Sequence, residues 1–227
     1  MEKLDVLVTG GEGFIAKGIV PHLGKRSVFC YSYDLITGAD IFDKEKLAEA
    51  LEGKDAVIHL AGLHGPSCDM FGHVDKDYKR INLGGSKAVF RAAKKAKVKR
   101  LVFASSIEVY GFKSVWADWY NDTPELPITE DTELPKKQHP YAKYKLETEK
   151  FFKENTKDGE ITVVAIRFGG INGESPWSIK WENLAEAFNL ALRTDKVKGF
   201  EHVTICDLDR NGVDLDKARR VLGYVKN

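Results

Sequence analysis

Residues 5–16 read DVLVTGGEGFIA. An apolar, β-branched run from Val6 to Val8 enters Gly10, Gly11 and Gly13, and a helical pattern opens near Phe14 with Ile15 and Ala16. Glycine permits the tight turn there and lets backbone N–H groups approach a pyrophosphate. The start of the following helix adds partial positive charge, and a small residue such as Ala16 suits close helix–strand packing. The spacing therefore predicts a dinucleotide site made by Gly10, Gly11, Gly13, Phe14 and Ile15, with a bare glycine turn as the competing reading.

The next apolar segment, SVFCYSYD, ends in Asp34, about twenty residues beyond the glycines. An acid at that point accepts hydrogen bonds from the adenosine ribose hydroxyls and repels a 2′-phosphate, so NAD is expected over NADP. The alternative for Asp34 is an aspartate that caps a turn. In GADIFD, Asp40 and Ile41 are placed to meet the adenine edge and face.

Farther out, DAVIHLAG and RLVFASS read as strands, with helices near Lys44 to Glu52 and after Asn82. Strands that are continuously apolar and alternate with helices form a parallel sheet covered on both faces. The expected fold is α/β, a Rossmann-type doubly wound parallel sheet in a single domain. Order dissolves from Gly111 to His139, a stretch rich in proline and too long for an ordinary loop. It returns with a helix from about Tyr141 to Asn155, the strand ITVVAIRF, a helix near Glu182 to Arg193, the strand HVTICD and a short terminal helix in DLDKARRVLGY.

With 227 residues, 43% of them hydrophobic, there is enough chain for one such domain and at most a small appendage. A net charge of +1 gives no reason to expect nucleic acid or an anionic membrane as partner. The basic run KKAKVKR sits where a helix should end and complements its dipole. Cys30, Cys68 and Cys206 lack CxxC spacing, and the six histidines lack HExxH spacing, so neither a disulfide framework nor a metal site is expected. With no signal-like start and no apolar run of spanning length, the expectation is a soluble cytoplasmic protein.

HPYAKYKLETE places Tyr141 and Lys145 four apart, on one face of a helix. A free tyrosine has a pKa of about 10 and needs a nearby cation to act as a base near neutrality. Lys145 and a nicotinamide ring can supply that charge, and Tyr141 can then exchange the substrate's hydroxyl proton. Ser105 and Ser106 end the preceding strand, where a parallel sheet places its ligands. The alternative is an ordinary surface pair, since Lys143 and Tyr144 nearly duplicate the pattern.

Taken together, TGGEGFIA, Asp34, HLAG, Asn82 in INLGGSKAVFRAA, SSIEVYG, YAKYK and AIRF resemble the extended short-chain dehydrogenases of the NAD-dependent epimerase/dehydratase family, in order and over nearly the whole chain. The resemblance implies a Ser106, Tyr141 and Lys145 centre acting on a sugar or nucleotide-sugar, with Lys145 binding the nicotinamide ribose. It also implies a cofactor cleft that takes in Leu60, Ala61, Gly62, Asn82, Ser105 and Phe168, and a homodimer formed through the helices after Asn82 and Tyr141.

After Arg167 the chain departs from the nucleotide-sugar epimerases. RFGGINGESP leads almost at once to SIKWENLAEAF, so residues from about 168 to 227 hold a shortened substrate region. That form partly resembles uronate dehydrogenases, which usually carry Asn-His where this chain has Ile107 and Glu108. Glu108 matches the glutamate with which sugar-nucleotide dehydratases remove a proton, and is a candidate catalytic residue; Ile107 argues against dehydration. A free-sugar dehydrogenase and a non-catalytic NAD-binding regulatory subunit are the alternatives. Trp116, Trp119 and Tyr120 are expected to fold over the cleft and replace part of the missing region, or else to pack on themselves or at a dimer contact.

Overall fold

A computed structural model describes residues 2–112, 124–157, 159–173, 175, 177–208 and 212–226. Trp116, Trp119 and Tyr120 lie outside the described residues.

Six parallel strands form one sheet in the order β2-β1-β3-β4-β5-β6. They are β1 (Leu4–Thr9), β2 (Val28–Tyr33), β3 (Ala56–His59), β4 (Arg100–Ala104), β5 (Thr162–Phe168) and β6 (Phe200–Ile205). The chain reverses its direction of travel across the sheet at β1, with β2 on one side and β3 to β6 on the other. A crevice opens at such a switch point, beyond the carboxyl ends of the strands.

The helices are α1 (Phe14–Gly24), α2 (Lys44–Leu51), α3 (Gly65–Met70), α4 (Asp75–Tyr78), α5 (Gly85–Lys95), α6 (Pro140–Asn155), α7 (Trp181–Arg193) and α8 (Asp216–Leu222). A π-helical segment, Lys79–Gly84, joins α4 to α5. Alternate strand residues serve opposite faces. Val6, Val8, Ile58, Val102, Val164 and Ile166 join α1, α7 and α8 in one core, whereas Leu7, Val57, Leu101, Phe103 and Val163 join α2, α5 and α6 in the other. Each such side chain, fully buried, contributes about 1.5–3 kcal/mol. The two layers make the sheet a rigid base for the loops at its carboxyl edge.

The expected long helix after Asn82 begins earlier in the structure. Asn82 lies inside the π-helical segment, and α3 and α4 precede it. Elements of four to six residues are too short to carry a readable hydrophobic period. Among the described residues, no helix is long and apolar enough to cross a membrane.

Candidate active site

A cleft of about 700 Å³ opens at the carboxyl ends of β1, β3, β4 and β5. Its cofactor wall begins with Gly10, Gly13, Phe14 and Ile15 and continues through Leu60 and Gly62. Gly10 adopts a φ of +74°, and a Cβ there would stand 2.7 Å from the Ala61 nitrogen, so only glycine lets the turn pass β3 this closely. A Cβ at Gly11 would meet Ser32 Oγ at 2.4 Å; this glycine serves the approach to β2 and lies outside the cleft lining. Gly13 caps α1 from an extended backbone with no side-chain cap, which leaves the helix's first N–H groups for an anionic ligand.

Asp34 accepts the backbone N–H groups of Glu12 at 3.0 Å and Ile36 at 2.9 Å. It is therefore a turn cap, as the alternative reading had it, and it also ties the glycine turn to β2. Each carboxylate oxygen retains a further lone pair for a ribose hydroxyl. The uncapped helix start, the glycine approach and Asp34 together fit a dinucleotide.

Several other expected cofactor residues lie outside the cleft lining. Asn82 is buried, with its Oδ1 accepting Leu63 N–H at 2.7 Å and its Nδ2 donating to Leu63 O at 3.0 Å, so it holds the loop after β3 in place. Ala61 contributes its backbone at Gly10. Asp40 caps its own turn by accepting Phe42 N–H at 2.9 Å. Ile41 packs on Gly85 of α5, where a Cβ would be 2.5 Å from its Cδ1. None of these four side chains lines the cleft.

The floor brings together Ser105, Ser106, Glu108, Tyr141, Lys145 and Phe168. Tyr141 and Lys145 share the inner face of α6, whose N-cap is His139, and Tyr141 is hydrogen-bonded to Ser106. Burial pushes the Tyr141 hydroxyl up to about 12; the Ser106 hydrogen bond opposes this shift and Glu108 adds to it. Lys145 Nζ donates to the Ala104 carbonyl at 2.6 Å and lies 5.5 Å from the centre of the Tyr141 ring. Burial lowers Lys145 to about 8, with Glu149 acting against the shift. Tyr141 thus holds its proton as a donor here, and further positive charge in the cleft is needed to turn it into an acceptor.

The pairing of Glu149 with this floor escapes the motif reading. Ser105 Oγ donates to its Oε1 at 2.5 Å, and Arg167 binds both of its oxygens, Nε at 3.0 Å and Nη2 at 2.6 Å. Glu149 stands one helical step beyond Lys145 on the same face, and that spacing was the available signal. His64, Gly170, Ile171 and Trp177 also line the cleft. His64 follows HLAG and has its ring centre 5.8 Å from that of Tyr141; burial lowers its pKa, and Lys145 adds to this.

A family model described as the NAD dependent epimerase/dehydratase family matches residues 6–183. The NAD-dependent glucose-6-phosphate dehydrogenase of Haloferax volcanii is 27% identical over 96% of this chain and 91% of its own length. The chain spans about half the length of the curated UDP-glucose 4-epimerases it matches. Among solved structures, UDP-glucose 4-epimerase from Bifidobacterium longum in complex with NAD+ and UDP aligns over 98% of this chain and 93% of its own, at 21% identity and a TM-score of 0.78. Glucuronic acid dehydrogenase from Chromohalobacter salexigens aligns over 100% and 85%, at 20% identity and a TM-score of 0.78. The matched span runs from β1 into α7 and contains the glycine turn, Ser106, Tyr141 and Lys145, and the chain belongs to the NAD-dependent epimerase/dehydratase family.

Proposed function

We propose that the protein oxidises a ring carbinol of a compact sugar that carries no nucleotide, with NAD+ as oxidant. The observation that supports a compact substrate is the short path from β5 to α7. Asn172 N–H donates to Ile179 O at 3.0 Å and Ile179 N–H to Gly170 O at 2.9 Å, which brings Gly170 and Asn172 back beside Ile179. Trp177 closes the same turn against Phe112, with ring centres 4.1 Å apart, and its backbone carbonyl oxygen would stand 2.6 Å from a Cβ at Gly169. Among its described residues, this connection from Phe168 to Trp181 holds no inserted segment to surround a nucleotide.

Ser106 and Tyr141 hold the substrate hydroxyl from two sides; Tyr141 first loses its own proton to solvent, and the phenolate then takes the hydroxyl proton as the carbinol hydride leaves for NAD+. Lys145, fixed on the Ala104 carbonyl, keeps a donor beside the Tyr141 ring and would hold the nicotinamide ribose. NAD+, when bound, supplies the hydride acceptor and a positive ring that favours the Tyr141 phenolate. In the reverse direction the protonated Tyr141 is already the required acid.

In sequence, the near full-length match to a sugar-phosphate dehydrogenase, where the curated epimerases match over about half of their length, supports a substrate without a nucleotide. A cytoplasmic homodimer paired through α5 and α6 belongs to the same proposal, supported by the family resemblance. The test is a panel of free and nucleotide-linked sugars with NAD+. Accumulating NADH with a free sugar is the expected result. Turnover of a nucleotide-sugar without net NADH would make the protein an epimerase, and NAD+ binding without turnover would leave a regulatory subunit.

A further inference from the structure

We propose that Glu108 acts as an uncharged hydrogen-bond donor to the substrate, so that it meets a neutral sugar oxygen, a hydroxyl or the ring oxygen, and abstracts no proton. The inference rests on the oxidation proposed above and assigns the substrate group that this part of the cleft recognises.

Glu108 lies in the single 3-10 turn Ile107–Tyr110 that follows β4. Its backbone N–H donates to Ser106 Oγ at 3.1 Å, which places its side chain beside the same serine that bonds Tyr141. The side chain lines the cleft, yet Oε2 is sealed from solvent and has no hydrogen-bond partner among the described residues. An ionised carboxylate in that position needs a cation or several N–H donors on its oxygens, and among the described residues none is hydrogen-bonded to Oε2.

The titratable groups that share the cleft are Tyr141 and Lys145 of α6 and His64 from the loop before α3. Tyr141 is protonated, and the lowered pKa of His64 keeps its imidazole neutral. Lys145 is engaged by the Ala104 carbonyl. Burial accordingly pushes the Glu108 carboxyl up to about 8. A protonated carboxyl carries one O–H to donate, and a buried acid held neutral can use it to bind a substrate oxygen.

Neutrality at Glu108 also serves Tyr141. A charge on Glu108 pushes the Tyr141 pKa further upward and would oppose its work as a base. A dehydratase would need the opposite state, an ionised glutamate that removes a proton.

Two measurements separate these states. In infrared difference spectra of the NAD+-loaded protein, wild type minus Glu108→Gln, the carbonyl stretch of a protonated carboxyl should be present at pH 7 and titrate away as pH rises through about 8. Its absence at pH 7 would overturn the proposal even if no sugar substrate had been found. With a turned-over sugar, kcat/KM of the wild type should fall through that same pH, because the donor is lost on ionisation, and Glu108→Gln should abolish this alkaline limb. Glu108→Ala should lose about 10- to 100-fold in kcat/KM, with much of it restored by the amide of Glu108→Gln. A rate that instead rises with pH, with Glu108→Gln inactive, would make Glu108 a base and overturn the proposal. Failure to find any sugar substrate would count against the oxidation reading, while the infrared result would still decide the state of Glu108.

Discussion

His139 Nε2 lies 2.8 Å from Asp69 Oδ2, while Nδ1 of the same ring accepts the backbone N–H of Tyr141 at 3.1 Å. The acceptor role fixes Nδ1 without a proton, so Nε2 is the donor to Asp69. Tyr78 donates to the other oxygen of Asp69 at 2.8 Å. The imidazole thus joins α3, at the rim of the cleft, to the first turn of the helix that carries Tyr141.

Removing this joint should be felt at Tyr141, the proposed acid and base. His139→Ala deletes an N-cap, which typically costs about 1 kcal/mol, and frees the start of α6. Thermal denaturation should report the lost stability, and kcat should fall with a smaller change in KM, because the displaced group is Tyr141. His139→Asn restores a cap without the reach to Asp69, and should recover stability more fully than kcat.

The buried Glu149–Arg167 pair anchors the floor from beneath. Its loss should be large because both side chains are almost completely inaccessible and Ser105 depends on the same carboxylate. Glu149→Ala leaves an unpaired guanidinium in the core and should destabilise the fold by about 3–5 kcal/mol, read from urea denaturation. Glu149→Gln keeps one acceptor and should cost less.

Under the proposed function, Asp34 carries the preference between the two nicotinamide dinucleotides. Asp34→Ser removes the charge and leaves a short acceptor, so binding of NAD+ by calorimetry should weaken by about 10-fold, the worth of one charge-assisted hydrogen bond. Binding of NADP+ should weaken less or improve, because the repulsion of its 2′-phosphate is gone. An unchanged ratio of the two affinities would place the discrimination elsewhere.

The parts of this site that are legible in the sequence are local ones. The glycine turn, the aspartate ending β2 and the Tyr141 to Lys145 spacing each lie within one strand–turn–helix unit or one helix face, where period and offset suffice. The dissolved pattern after Gly111 and the short path from Arg167 to Trp181 are likewise visible as spacing. Relations across the fold are not. Gly11 meets Ser32 on a neighbouring strand, Asn82 bonds the loop after β3, and His139 finds Asp69 on a helix too short to show a period. Ile41 follows a turn that sends it toward α5, a direction set by packing on Gly85 and invisible in the order of residues.

The exchange of a proton at Tyr141 during hydride removal is measured most directly by stopped-flow detection of NADH, comparing wild type with Tyr141→Phe on a free sugar. The mutant ring keeps its packing and loses only the hydroxyl that bonds Ser106. NADH formation should fall by about 100- to 10,000-fold, the usual contribution of a positioned acid or base, while the affinity for NAD+ stays within about 2-fold. Equal rates of NADH formation in the two proteins would contradict the assignment of Tyr141.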